Sequence, residues 1–332
     1  MRIASHDLSE RILIVAEIGN NHEGNFEIAC RMVEAAADAG VDAVKFQTFQ
    51  TRLFTSKADP ARFERLSRFE LSYDQFAALE QLARRRGLVF LSTPLDLESA
   101  RFLEPLVDVF KVASGDNDFL PLIAQVCATG KPVIISTGLA DLVHLQRIAA
   151  FARAAGADGR LAFLHCVCAY PAPPDEVNLK VIPVMASELG CPVGWSDHTL
   201  GPDACLAAAA IGARIIEKHF TLDKNFSAFR DHQLSADPPE MRQIVDRVRH
   251  VERLLGCATK TLQPSERANQ SAVRRSIAAA AALPRGHRLR AEDLIWLRPA
   301  IGLPPGEEDR LIARALTRDV AEGEAITERD VG

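Results

Sequence analysis

The sequence predicts an α/β protein, a (β/α)8 barrel followed by a small β-rich domain. Three observations carry that prediction: short β-branched runs alternate with helical periodicity, the strand candidates number eight within about 220 residues, and the pattern changes beyond residue 271. At roughly 150 residues per domain, 332 residues leave room for two domains, or for one barrel of about 250 residues with an appendage.

The first strand is Ile12-Leu13-Ile14-Val15-Ala16, followed by a helix over Phe26 to Ala39 and a second strand over Val41 to Phe46. Further strands are read at Leu88 to Ser92, Val109 to Val112, Val133 to Ser136, Leu161 to His165, Pro192 to Trp195 and Arg214 to His219. Between them lie helices near Ser72 to Arg86, Leu97 to Pro105, Pro121 to Thr129, Leu142 to Ala155, Leu179 to Leu189 and Pro202 to Ile211. An open doubly wound sheet alternates likewise. Here, however, Gly19-Asn20-Asn21-His22-Glu23-Gly24 follows the first strand, which is neither a dinucleotide fingerprint nor a P-loop. A helix near Pro239 to Leu255 closes the barrel, assigned to residues 1–258, and a polar stretch with Pro264 forms a linker over 259–271. Residues 272–332 are short apolar segments broken by Pro284, Gly286, Pro299, Gly302 and Gly323. Leu283-Pro284-Arg285-Gly286 before Ala291-Glu292-Asp293-Leu294 is echoed by Val320-Ala321-Glu322-Gly323 before Thr327 to Val331, which points to pseudo-symmetry.

A net charge of −5, with 48% apolar and 25% charged residues, is that of an ordinary globular protein and gives no footprint for nucleic acid. Nowhere do 18 apolar residues run together, and Met1 to Asp7 lacks the apolar stretch of a signal peptide, so no membrane association and a cytoplasmic location are expected. Seven scattered cysteines read as reduced thiols, and Cys166-Val167-Cys168 has no second pair with which to build a zinc site.

A parallel barrel builds its site at the C-terminal ends of its strands. Here those ends are Glu17, then Lys45 and Gln47, then Ser92-Thr93, Lys111 and Ser114, Ser136-Thr137-Gly138, His165, Ser196-Asp197-His198, and Glu217-Lys218-His219. Two lysines among hydroxyls suit a phosphate or carboxylate dianion, because point charges and neutral donors together replace its hydration shell. His198 and His219 end adjacent strands and could share one divalent cation with positions left open for water or substrate. Glu17, Glu217 or Asp231 could serve as a general base or bind hydroxyls. Spacing alone also permits a Schiff-base lysine at Lys45, Lys111 or Lys218, and a thiol nucleophile at Cys166 or Cys168, although no sequence feature lowers the pKa of either thiol.

In this order, Ala16 to Gly24, Ala43-Val44-Lys45-Phe46-Gln47-Thr48, Ser92-Thr93-Pro94, Phe110 to Gly115, Ile135-Ser136-Thr137-Gly138, Leu164-His165-Cys166, Tyr170-Pro171, Gly194 to Thr199 and Glu217 to Thr221 resemble the sialic acid synthase family. Those enzymes join phosphoenolpyruvate to an N-acylated hexose. Arg274-Arg275-Ser276-Ile277 and Leu297-Arg298-Pro299 are similar to the antifreeze-like (SAF) domain that ends them. The resemblance implies that Lys45, Thr93, Lys111, Ser114, Ser136 and Ser196 hold phosphoenolpyruvate, and that His198 and His219 bind Mn2+, or Mg2+ or Co2+ in its place. It further implies that Glu17 lies near the reacting centre, and that Gln47, Tyr170, Glu217 and Asp231 match positions on the sugar side. A domain-swapped homodimer with Arg298 supplied to the partner barrel is also implied.

Three departures accompany the match. Cys168 stands where relatives often carry Asn or Ser, so one polar contact is lost or made through a weak thiol. Phe229-Arg230-Asp231-His232 replaces a common Gly-Pro-Asp-His and alters the wall beside the sugar. Ala300 follows Pro299 where glycine is usual, so a different backbone path is expected for the loop that carries Arg298. The expected activity is N-acetylneuraminate synthesis from N-acetylmannosamine. A legionaminic or pseudaminic acid synthase using a 2,4-diacetamido-6-deoxy hexose is the alternative. A carbohydrate-binding protein without turnover is the non-enzyme alternative, opposed by the intact Glu17, Lys45, Lys111, His198 and His219.

Overall fold

A computed structural model describes residues 1–332 as two compact units, Met1–Gly256 and Cys257–Gly332. After a short hairpin of β1 (Arg2–Ile3) and β2 (His6–Asp7), which the sequence reading did not anticipate, eight parallel strands close a barrel. They are β3 (Leu13–Gly19), β4 (Ala43–Thr48), β5 (Val89–Pro94), β6 (Phe110–Val112), β7 (Val133–Ser136), β8 (Leu161–Cys166), β9 (Val193–Asp197) and β10 (Ile215–His219), with β10 pairing back onto β3. The helices are α1 (Phe26–Ala39), α2 (Thr51–Phe54), α3 (Pro60–Phe69), α4 (Tyr73–Arg85), α5 (Leu97–Leu103), α6 (Leu120–Ala128), α7 (Leu142–Ala152), α8 (Val181–Leu189), α9 (Asp203–Ala210), α10 (Asp231–Leu234) and α11 (Pro238–Leu255). None is long and apolar enough to cross a membrane.

Local signals set the helix ends. Asn25 and Ser72 accept hydrogen bonds from the first-turn amides of α1 and α4, and Gly40 ends α1 at φ 84°, a left-handed conformation that costs glycine little. Helices α2 and α3 were not expected, although Asp59-Pro60 carries the signature of a start: the Asp59 side chain accepts from Arg62 N, and proline fills the first helical turn.

The strands alternate in period two, and this places the site. Inside the barrel the lower layer is apolar, with Leu13, Val15, Ala43, Leu91, Val109, Ile134, Ala162, Leu164 and Ile215 packed over Ile3 and Leu8 of the hairpin. Two residues further along each strand the inward position is polar or carries sulfur: Glu17, Lys45, Thr93, Lys111, Ser136, Cys166, Ser196 and Glu217, all of which line one cavity. Residues of the opposite parity pack outward beneath the helices, as Ile14, Phe46, Phe90, Phe110 and Trp195 do.

The second unit has β11 (Ser276–Ala279) and β12 (Leu294–Leu297) as its one regular antiparallel pair, and isolated bridges complete it. These bridges follow the sequence echo. Leu283 pairs with its counterpart Val320, while the bridges Ala278–Ala325 and Arg288–Ala315 exchange under the same relation, as do Ala279–Leu294 and Leu316–Val331. In both halves an aspartate caps a short turn, with Asp293 accepting from Arg290 N and Asp330 from Thr327 N, each at 2.8 Å. The stretch read as a linker holds two single helical turns, Pro264–Arg267 and Gln270–Val273.

Gly194 of β9 has no room for a side chain: a Cβ there would lie 2.4 Å from the Ile215 carbonyl oxygen and 2.7 Å from Leu164 Cδ2. Gly194→Ala should therefore lower stability by about 2–3 kcal/mol, read as a shift of the denaturant midpoint, and an unchanged midpoint would mean that the barrel wall yields there at no cost. His22, in the loop after β3, is fully buried with Nε2 unpartnered, and burial pushes its pKa down to about 4. The unfolded chain takes up this proton near pH 6.5 and the folded chain does not. Stability should fall by about 1.4 kcal/mol per pH unit on this account as pH drops from 6.5 towards 4. His22→Gln should flatten that part of the stability–pH curve, and an equal slope in both proteins would show that His22 titrates normally.

Candidate active site

The polar layer lies at the base of a cavity of about 1130 Å3 at the C-terminal end of the barrel. Its charged core is two lysines and two glutamates, all buried. Lys45 Nζ lies 2.8 Å from Glu17 Oε2 and 3.7 Å from Glu217 Oε1, and Lys111 Nζ lies 3.8 Å from the same Glu217 oxygen. Register explains the grouping: β10 and β4 flank β3, bringing Glu217 and Lys45 to either side of Glu17. The sequence reading took the lysines as point charges for an anion, and the fold sets carboxylates beside them as well.

Neutral hydroxyls and an amide surround this core. Lys111 Nζ donates to Ser136 Oγ at 2.6 Å, Ser196 Oγ donates to Glu217 Oε1 at 2.9 Å, and Lys45 Nζ approaches Thr93 Oγ1 at 3.4 Å. Gln47 Nε2 reaches Glu17 Oε1 at 3.3 Å and is itself oriented by Asn20 at 3.0 Å. Ser114 accepts from Gly138 N at 3.0 Å, a position where a side chain would collide with Ser114 and with Cys168 Sγ. Burial raises the Glu17 pKa and lowers that of Lys111, while the flanking glutamates outweigh burial at Lys45 and raise it. At Glu217 burial works against the charge, yet Lys111 and Lys45 prevail and hold its carboxyl below the usual range.

His198 and His219 stand side by side at 5.4 Å between ring centroids, with Tyr170 packed 4.1 Å from His198. His198 Nδ1 meets the Val167 carbonyl at 2.8 Å. A carbonyl only accepts, so Nδ1 carries the hydrogen and Nε2 presents a bare lone pair. Burial pushes both imidazoles below their ordinary pKa and keeps them neutral, the form that binds metal. Two imidazoles sharing an ion at about 2.1 Å would have centroids roughly 5 Å apart, so the pair fits a divalent cation. No third His, Cys, Asp or Glu joins the pair in a cluster that could hold a metal ion.

The structure separates neighbours that the sequence listed together. Lys218 points away from the cavity and is held by Asp197 Oδ2 at 2.8 Å, with Asp197 also accepting from Thr199 and Cys205. A buried, paired lysine on the outer face is no Schiff-base candidate. Ser92 bonds Thr48 at 2.7 Å, and His165 bonds the Val177 carbonyl at 2.7 Å, so neither lines the cavity. Cys168 does line it. Its pKa falls to about 6 through a hydrogen bond from Cys166, helped by Ser114 and Lys111, a lowering with no signal in the sequence. Asp231 lies on the wall with its pKa raised by burial, opposed by Arg230. In the second unit Arg298 is exposed at the end of β12, and the loop beyond it is pinned where the Ile301 and Gly302 amides donate to Ser276 Oγ at 2.7 and 2.8 Å. Ala300 holds an ordinary negative φ, without strain. Sequence reasoning missed Arg62, Arg65 and Arg68, which line the cavity from α3, and the wall residues Asn20 and Glu23.

With the geometry in view, comparison with known proteins gives a consistent result. The model of the NeuB family matches residues 32–260, and that of the SAF domain matches residues 274–332. An N,N'-diacetyllegionaminic acid synthase of Legionella pneumophila is 37% identical over 94% of this chain and 92% of that protein. The human N-acetylneuraminate-9-phosphate synthase is 33% identical over 95% and 91% respectively. Among solved structures, an N-acetylneuraminic acid synthetase from Leptospira borgpetersenii, in complex with citrate, superposes with a TM-score of 0.73 at 29% identity, covering 78% of this chain and 90% of that one. The chain belongs to the NeuB family of nonulosonic acid synthases and ends in a SAF domain.

Proposed function

We propose that the chain condenses phosphoenolpyruvate with the open-chain aldehyde of an N-acylated hexose, with N-acetylmannosamine as its core, giving a nonulosonic acid and phosphate by C–O cleavage. The observation that carries this reading is the convergence of Lys45, Lys111 and their hydroxyl partners with His198 and His219 on one cavity. In this reading Lys45, Thr93, Lys111, Ser114, Ser136 and Ser196 hold phosphoenolpyruvate. As the anion enters, the two ammonium groups turn from the carboxylates to its oxygens. Ser136 and Ser196, already in their hydrogen-bonding range, complete the shell. Gln47, Tyr170, Glu217 and Asp231 face the sugar.

His198 and His219 would hold a divalent cation, manganese in the first place with magnesium or cobalt as substitutes. When bound, such an ion supplies Lewis-acid polarisation to the sugar aldehyde. Carbon 3 of phosphoenolpyruvate attacks that aldehyde, and water adds at carbon 2. Glu17, released from Lys45 and with its pKa raised by burial, is positioned to accept the proton of that water. Gln47 keeps the Glu17 carboxylate in place while Lys45 is engaged elsewhere. Collapse with loss of phosphate leaves the 2-keto acid.

A homodimer with Arg298 reaching the partner's sugar site belongs to the same proposal. It is supported by the exposure of Arg298 beside exposed Trp296, Leu297 and Ile301. A cytoplasmic location is supported by seven cysteines carried as free thiols.

Incubation of the protein with phosphoenolpyruvate, Mn2+ and a panel of N-acetylmannosamine, its 6-phosphate and 2,4-diacetamido-6-deoxy hexoses should release phosphate and yield a nonulosonic acid by mass. Binding of phosphoenolpyruvate without turnover of any sugar would exclude the synthase reading. His219→Ala should lose metal-dependent activity while its melting temperature stays within a few degrees of the parent's, and full activity in that variant would remove the metal assignment. The charge cluster makes a third prediction. Lys45→Met leaves two buried carboxylates facing one lysine and should cost about 3–5 kcal/mol, and adding Glu17→Gln should restore at least about 1 kcal/mol of it in a double-mutant cycle. Strict additivity would show that the two charges do not interact.

A further inference from the structure

The mouth of the cavity carries a second set of cations that the reading above leaves idle. Helix α3 is fixed in place by the Asp59 cap at its start. At its end Glu70 accepts from Thr51 N and Thr51 Oγ1 at 2.7 and 2.6 Å. Leu66 and Phe69 are buried against Phe49 and Leu95. With that stripe inward, Arg62, Arg65 and Arg68 follow one another at three-residue intervals along the face that lines the cavity. None of the three has a carboxylate within 4 Å, although acidic residues outnumber basic ones in the chain, 44 to 39. Opposite them Arg230 lies 5.0 Å from the Tyr170 ring centroid, and its one ion contact is Asp231 at 3.4 Å. The residue before it, Phe229, meets Phe69 edge-on at 5.2 Å and ties this loop to the arginine helix. Of the two carboxylates on this wall, Asp231 is shared with Arg230, and Glu23 is taken up by Ser227 and His232. The floor of the site is therefore balanced, and the mouth holds excess guanidinium.

Like charges stacked on one helix face repel. An arrangement that keeps them unpaired beside a substrate cavity fits an anion brought by the ligand. Phosphoenolpyruvate is already matched by Lys45 and Lys111 at the floor. An open-chain hexose with its aldehyde at the His198–His219 pair extends its far end towards the mouth. We propose that Arg62, Arg65, Arg68 and Arg230 receive a phosphomonoester on the acceptor sugar at the carbon farthest from its aldehyde, so that the substrate is a 6-phosphorylated N-acyl hexosamine. The assignment rests on the synthase reading and sharpens it. A guanidinium fork matches phosphate oxygens two at a time, whereas the methyl end of a 6-deoxy hexose offers these arginines no countercharge.

The test compares N-acetylmannosamine with N-acetylmannosamine 6-phosphate at saturating phosphoenolpyruvate and Mn2+, with products identified by mass. The phosphorylated sugar should lead by about 100-fold in kcat/KM, because a site built for a charged group rejects the analogue that lacks it. In the double variant Arg65→Ala with Arg68→Ala, that lead should shrink at least tenfold through the acceptor KM, while the KM for phosphoenolpyruvate stays put. Lysines at the same two positions should restore part of it. Calorimetric binding of the phosphorylated sugar to the metal-free protein should weaken at least tenfold in the same alanine variant. Equal or better use of the neutral sugar, or a lead unchanged in the variant, would overturn the anion subsite while leaving the synthase reading standing. Failure of every N-acyl hexose to condense with phosphoenolpyruvate would overturn both.

Discussion

Four charged side chains, Glu17, Lys45, Lys111 and Glu217, are taken out of water inside the barrel, and much of the rest of the structure can be understood as what makes that tolerable. An isolated ammonium or carboxylate at such depth costs several kcal/mol, and two of each sign within 4 Å largely offset one another. The offset needs their positions to be held closely. Parallel register supplies this, since Glu17 is paired across to His219 on one side and to Lys45 on the other. The apolar layer two residues below shuts out water from beneath, with the N-terminal hairpin as its plug. The cluster is neutral when empty, so neither sign of buried charge is left uncompensated.

The same economy governs the histidines. Burial keeps His198 and His219 unprotonated, and Val167 fixes which nitrogen of His198 is free, so the lone pair that faces the cavity is set by the backbone. A protonated imidazole at His219 would add a charge beside Lys45 and Lys111, and these are among the groups that disfavour it. The lysines thus add to burial a field that keeps the neighbouring imidazoles neutral.

Much of this was legible in the sequence because the barrel rule converts strand ends into a site, and because Glu17, Lys45, Lys111, Ser136, Ser196 and Glu217 fall on the inward parity of their strands. What the list of strand ends left unresolved was the other parity. Lys218, Asp197, Ser92 and His165 are strand-end residues too, and a list of ends does not say which face each takes. Counting two residues up from Ile215 or Leu164 would have selected Glu217 and Cys166 and set aside Lys218 and His165. The carboxylate balance was hidden for another reason. Glu17 and Glu217 lie about 200 residues apart, and only the closure of β10 on β3 brings them to the same lysine. Helix α3 went unread because its apolar stripe is short and its exposed face carries arginines, a composition typical of a solvated connection, and only the Asp59-Pro60 start marked it.

The division of labour between strands and connections follows from rigidity. A barrel strand cannot tilt a side chain without disturbing two ladders, so strand ends suit chemistry that has to be positioned closely, whereas a connection can change its residues at little cost to the core. In this chain the connections after β4 and β10 meet. Phe69 on one packs against Phe229 on the other, so the aromatic that anchors α3 comes from the very loop whose next residue, Arg230, faces the cavity. A glycine at position 229 would leave Phe69 without that partner and α3 without its brace on this side, and the arginines it carries would lose their aim. The two segments therefore form one wall, and its charge is opposite in character to the balanced floor: in excess of its carboxylates, exposed at the mouth, and dependent on the ligand for its complement.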